Sequence, residues 1–250
     1  MHVRAIAIIP ARYASTRLPG KALASLDGRP MIRHVAERTC QARSLAHVIV
    51  ATDDDRIAHA VAGSGVEVVM TRADHPTGTD RLAEVAERVE ADVVVNVQGD
   101  LPLLDPAMID ALVGRMDRDA ALPMATLAAP IYDESEWRSP HVVKVVCDAQ
   151  HRALYFSRSP LPYHRDGVRP GGVLGWRHIG MYAYRRDVLL QLAALAPTPL
   201  ESSERLEQLR ALEHGIAIGV EAWTAAEPVI EVDVVEDLER ARAALSGRMA

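Results

Sequence analysis

The sequence is poor in cysteine, carries no excess of positive charge and has no long apolar run, and each shortage removes a class of protein. Its two cysteines, Cys40 and Cys147, lack a CxxC or CxxH neighbour, so they suit buried apolar thiols better than a disulfide framework or a zinc site. A formal net charge of −6 argues against general attraction to nucleic acid or anionic membrane, so any positive potential must be local. No apolar stretch approaches the roughly 20 residues needed to span a bilayer, and no charged-then-apolar leader opens the chain. A reducing, cytoplasmic setting is expected. The histidines show no HExxH or Cys/His spacing, so no structural metal is expected.

Two familiar phosphate loops are missing as well. A Walker loop needs glycine five residues before its Gly-Lys pair and Ser or Thr after it, where this chain has Ser15 and Ala22. Gly63-Ser64-Gly65 follows a helical pattern and precedes a strand, the reverse of the order a dinucleotide fingerprint requires.

What is present centres on residues 8–21. The run Val3 to Ile9 reads as a buried strand ended by Pro10, after which come Ala11, Arg12, Arg17, Gly20 and Lys21. A basic, small-residue loop at the end of a sheet strand lies where open α/β sheets bind ligands, and its cations and free N–H groups suit a polyphosphate. A solvated basic turn is the plainer reading. Strand patterns recur at His47 to Thr52, Val66 to Met70 and Asp92 to Val97, alternating with helical stripes, so the first half reads as a parallel α/β sheet.

Acidic residues punctuate this frame. Asp53-Asp54-Asp55 opens a helix and is explained by capping and the helix dipole, with a DxD metal motif as the sharper alternative. Asp100 follows Gly99 at the tip of the Val-rich fourth strand, where it would face the ligand crevice as a candidate Mg²⁺ ligand. Asp233 is either the cap of the last helix or a second carboxylate at the same end of the sheet.

From Met124 onward the pattern is richer in strand: Met124 to Ile131, Val142 to Cys147, Ala153 to Phe156 and Arg177 to Tyr184. Period-two alternation puts His178, Gly180 and Tyr182 on one face, able to line a pocket with Arg158. Thr198-Pro199-Leu200-Glu201 is a capping box that predicts a helix carrying Glu204, Glu207 and Gln208. Ile216 to Val220 and Val229 to Val232 complete the strands. The 250 residues are expected to form one α/β domain.

Together, Ile9-Pro-Ala-Arg-Tyr-Ala-Ser-Thr-Arg-Leu-Pro-Gly-Lys21, Thr71-Arg-Ala-Asp-His75, Gly78-Thr-Asp-Arg-Leu-Ala-Glu-Val85, Asn96-Val-Gln-Gly-Asp100, Tyr155-Phe-Ser-Arg158, Arg177-His-Ile-Gly-Met-Tyr182 and Leu206-Glu-Gln-Leu-Arg210 resemble the 3-deoxy-manno-octulosonate (Kdo) cytidylyltransferases. The resemblance runs through almost the whole chain. It implies a Rossmann-like nucleotidyltransferase fold with a mostly parallel mixed sheet and an acceptor-binding and dimerisation region over roughly 124–215, a homodimer, and a cytoplasmic role in lipopolysaccharide biosynthesis. The implied reaction joins CTP and Kdo to give CMP-Kdo and pyrophosphate, with Mg²⁺ required.

By matching motif, Arg12, Lys21 and Asp100 would be catalytic, and Pro10, Ala11, Arg12, Arg17, Lys21, Arg72, Thr77, Gly78, Arg81 and Gln98 would hold the nucleotide. Arg158, His178, Tyr182, Glu207 and Gln208 would bind the acid sugar, and Asp100 and Asp233 the Mg²⁺. The chain departs from the family's pattern at Leu101, where glutamate is usual, at Val234-Val235, where Thr-Pro is usual, and at Tyr163-His164, where Trp and a short polar residue are common. These departures leave room for a Kdo variant or another 2-keto acid sugar as acceptor. A nucleotide-sugar-dependent glycosyltransferase using Asp53 to Asp55, and an inactive nucleotide-binding homologue, are the competing readings.

Overall fold

The computed structural model describes residues 3–14, 18–167, 171–224 and 229–248. Its frame is a sheet whose strands bury both faces. In β1 (Ala5–Ala11) the side chains of Ala5, Ala7 and Ile9 join one apolar cluster, and those of Ile6 and Ile8 join another. The same alternation divides Val93 and Val95 from Val94 in β6 (Val93–Asn96), all of it buried. Such strands read as continuous apolar runs because helices cover both faces.

Parallel pairing joins β1 to β6 and to β4 (Leu45–Thr52), and β4 to β5 (Glu67–Met70). On the other side of β6 lies the long antiparallel β10 (Gly175–Arg185), followed by β7 (Met124–Ile131) and β11 (Ile218–Ala222). The order β11-β7-β10-β6-β1-β4-β5 therefore contains a single reversed strand, β10, among the described residues. The hairpin of β8 (Lys144–Cys147) and β9 (Ala153–Ser157) pairs with β10, so the β-rich middle of the chain extends the same sheet. A small ladder of β2 (Ser25–Leu26) and β3 (Arg29–Pro30) stands apart.

Helices α1 (Met31–Thr39) and α4 (Pro106–Arg118) pack on one face through Ile32, Val35, Met108 and Leu112. The opposite face holds α3 (Gly78–Ala86), α6 (Arg186–Ala194) and α8 (Gln208–Glu213), through Leu82, Val85, Leu189 and Leu209. Helices α2 (Asp55–Ala60), α5 (Glu134–Arg138) and α7 (Pro199–Glu204) are short. The closing α9 (Val235–Arg248) seats Leu238 and Ala241 against Leu26, Met31 and Leu103.

Three expectations fail locally. Pro10 does not end β1; the strand runs on to Ala11 with Pro10 opposite Ala51, tolerable at a strand end where its missing N–H breaks no continuing ladder. Residues 229–232 form no strand and are held instead by a bond from Val232 N–H to Asp100 O of 2.9 Å. The helix predicted to carry Glu204, Glu207 and Gln208 is broken in two, because Arg205 takes a left-handed conformation with φ 56°.

Candidate active site

The C-terminal ends of β1, β4 and β6 converge on one edge of the sheet, as expected for a ligand crevice in an open α/β fold. There Pro10, Ala11, Arg12 and Lys21 face His75, Thr77, Gly78 and Arg81 across a pocket of about 300 Å³. Gln98, Gly99 and Asp100 form its floor. Glycine suits position 99, since a Cβ there would lie a tight 3.1 Å from Pro10 O, and the tip of β6 packs close against the end of β1.

The basic loop is fastened at its start, where the Arg56 guanidinium stacks 3.4 Å over the Tyr13 ring. Arg56 is itself paired with Asp54, which caps α2 by accepting Arg56 N–H at 2.9 Å. Asp53 pairs with Arg81 at 3.1 Å. Asp53 and Asp54 are thus spent on anchoring and capping, and none of the triplet belongs to the carboxylate cluster suited to a metal among the described residues. That removes the metal motif on which the glycosyltransferase reading rested.

The suited cluster is Asp100, Asp233 and Glu231, whose oxygens lie within 4.8 Å of one another. Lys21 Nζ sits between two of them, 2.7 Å from Asp100 and 3.1 Å from Asp233. Burial works against the ammonium, yet Asp100 and then Asp233 prevail and raise its pKa. Asp100 Oδ1 is buried with no hydrogen-bond partner among the described residues. Hard oxygen donors, one of them unsatisfied, on a patch already attractive to a cation fit Mg²⁺.

A larger cleft of about 1050 Å³ opens beside this pocket. Its walls include His178, Tyr182, Glu207 and Gln208, the residues the resemblance assigns to the acid sugar, together with Arg177, His141 and Arg240. In β10 a bulge between Ile179 and Tyr182 inserts two residues, which preserves parity and leaves His178 and Tyr182 on one face with ring centroids 5.3 Å apart. Burial pushes the His178 imidazole down to about 3, so it stands neutral at 3.0 Å from Thr126 Oγ1. Burial also raises the Glu207 carboxyl, with Arg210 and the hydroxyls of Thr79 and Thr77 opposing. Gln208 Nε2 is buried and has no hydrogen-bond partner among the described residues, leaving amide N–H groups available to a ligand.

Two of the predicted site residues, Arg72 and Arg158, do not line these cavities. Arg72 is exposed and paired with Asp74 at 3.2 Å, outside the nucleotide pocket. Arg158 lines neither cavity; its guanidinium donates to Glu204 O at 2.9 Å and Pro140 O at 3.0 Å. The break at Arg205 explains this, turning Glu204 toward Ser157 and Arg158 while Glu207 and Gln208 face the cleft. Arg17 lies outside the described residues. Leu101, 3 % exposed, packs into the apolar cluster beneath the cleft.

Sequence reasoning missed Glu231, His75, Arg177 and His141. The first sits in a segment read as a plain strand, and His75 and Arg177 lay inside quoted motifs without a role of their own. Gln98, Glu231 and Asp233 line both cavities, so the two spaces share one boundary.

Known proteins match this arrangement. A family model described as cytidylyltransferase matches residues 6–218. The 3-deoxy-manno-octulosonate cytidylyltransferase of Geobacter sulfurreducens is 54 % identical over 242 residues, covering 94 % of this chain and 96 % of its own. That of Syntrophotalea carbinolica is 53 % identical over 247 residues, covering 96 % and 98 %. A solved CMP:2-keto-3-deoxy-manno-octonic acid synthetase complexed with CTP superposes with TM-score 0.91 at 45 % identity, covering 98 % of this chain and 99 % of its own. A cytidylyltransferase from Leptospira borgpetersenii, 17 % identical with TM-score 0.67 over 98 % of this chain and 88 % of its own, shares the fold. The chain belongs to the cytidylyltransferase family, within its 3-deoxy-manno-octulosonate branch.

Proposed function

We propose that this protein transfers CMP from CTP to the anomeric hydroxyl of Kdo, releasing pyrophosphate. The observation that carries the reading is the shared boundary at Gln98, Glu231 and Asp233 between a small pocket rimmed by Arg12 and Lys21 and a wider polar cleft whose walls mix Arg177, Arg240 and His141 with carboxylates and neutral polar groups. A triphosphate in the first and an acid sugar in the second would meet there. The hydroxyl oxygen then gives up its proton to solvent and bonds to the α-phosphorus as the bond from that phosphorus to the bridging oxygen breaks, and the pyrophosphate leaves with the electron pair. Such transfers are catalysed by positioning and by neutralising charge, so no protein nucleophile is needed.

Arg12 and Lys21 meet the phosphate charge, while Thr77, Gly78, His75 and Gln98 surround the rest of the nucleotide. Arg177 and His141 offer positive or hydrogen-bonding groups to the sugar carboxylate, and Glu207, Gln208 and Tyr182 offer partners to its hydroxyls. Asp100 and Asp233 would hold Mg²⁺, which when bound offsets the developing negative charge on the phosphates.

The reading extends to a homodimer. Leu154, Tyr163 and Val173 expose 62 %, 83 % and 44 % of their surface, and the last borders an apolar groove with Val145, Pro162 and Trp176. Elution mass by light scattering at twice the chain mass is the expected result. The cytoplasm, where CTP is at hand, suits the reaction. Pyrophosphate release with CTP and Mg²⁺ tests the whole, run with Kdo, 8-amino-8-deoxy-Kdo and a sialic acid. Turnover of Kdo is expected; silence with all three would sink the proposal, and preference for the amino sugar would move the acceptor assignment to a Kdo variant.

A further inference from the structure

Lys144 is completely buried, and no step of the transfer uses it. It opens β8, opposite Ser157 of β9 and Arg177 of β10. Its ammonium donates to three backbone carbonyls, Ser139 O at 2.8 Å, Val142 O at 2.7 Å and Arg158 O at 2.5 Å. Three donors meet three acceptors, which completes the hydrogen bonding of the group. Burial lowers the Lys144 pKa, and the nearby Glu204 carboxylate opposes that change.

Packing alone does not call for this residue. An apolar chain of the same length would fill the space without the cost of burying a charge. What the ammonium adds is a junction between separate pieces of backbone. Ser139 and Val142 bracket the turn after α5, and Arg158 follows β9. The turn is functional surface: His141, Val142 and Val143 line the wide cleft, and Val143 O accepts the N–H of His178 at 2.8 Å. Arg158 braces the same turn from outside through its bond to Pro140 O.

We propose that Lys144 is a positioning residue for the acceptor, tying the 139–143 turn to the end of β9 so that the cleft wall is formed before the sugar arrives. This rests on the reading of the cleft as the acceptor site. An ordered wall lowers the cost of binding the sugar and fixes its hydroxyl relative to the nucleotide.

The test is Lys144→Met, with steady-state kinetics for Kdo and CTP, CTP binding by calorimetry, and backbone hydrogen exchange. The expected result is a KM for Kdo raised about tenfold, CTP affinity within twofold of wild type, and faster exchange confined to residues 139–143. An unchanged KM for Kdo, or loss of CTP affinity in parallel with it, overturns the proposal. Should Lys144→Met not fold, Arg158→Met serves, since Arg158 is only half-buried and deletes one brace of the turn. Faster exchange at 139–143 supports the proposal, and unaltered exchange there overturns it. If wild-type protein turns over no keto sugar, the reading of the cleft has failed and the proposal with it; if it turns over Kdo and Lys144→Met matches it, only the proposal has failed.

Discussion

The nucleotide side of the cleft is made from the ends of β1 and β6 and the capped start of α3, each a short unbroken stretch of sequence, whereas the acceptor side is made from a bulged strand, a broken helix and a turn far from both. On the first side, sequence neighbours are site neighbours. On the second, the site exists only once long-range pairing has formed. The two sides should therefore respond differently to substitution, with charge dominating the first and shape the second.

The largest expected effect is at the metal-facing carboxylate. Asp100→Ala should lower kcat by about 10³-fold, while circular dichroism shows an intact fold. Turnover near wild type would remove Asp100 from the chemistry. Lys21→Met comes next, at about 10²-fold in kcat, because the cation between Asp100 and Asp233 is lost from the phosphate end. Glu207→Gln should act on the other side, raising the KM for Kdo about tenfold and leaving CTP affinity alone. A matched loss in both substrates would erase the distinction between the sides.

A smaller effect concerns pH and stability. The folded His178 has its pKa depressed to about 3 from 6.5, so the unfolded chain takes up the proton first. The contribution is fully present above about pH 6.5 and drains as pH falls toward 3. Thermal melts between pH 4 and 7 should show a steeper fall for wild type than for His178→Gln, and parallel curves would contradict the buried neutral imidazole. The smallest effect is at Arg72, exposed and paired only with Asp74 in this geometry; Arg72→Ala should leave the KM for CTP within twofold.

This ordering follows what was legible in the sequence. The Val-rich β6, the Thr198-Glu201 capping box and the Gly99-Asp100 tip are local features, so periodicity and capping chemistry locate them without knowledge of the fold. Lys21, Asp100 and Asp233 were named singly, but their meeting depends on Val232 N–H binding Asp100 O, a contact across more than half the chain. Arg158 and Arg72 carry charges whose motif said nothing of direction; one braces a turn and the other faces outward. The bend at Arg205 was illegible because nothing in a capping box reports a left-handed residue one turn and a half later.

The central claim is that the two cavities meet at one boundary and that the sugar hydroxyl attacks the nucleotide directly. Incubation with CTP labelled at its α-phosphate and Mg²⁺, first without and then with Kdo, tests it most directly. The account predicts no labelled protein and no pyrophosphate until Kdo is added, then label in CMP-Kdo. A labelled protein formed before the sugar arrives would contradict it.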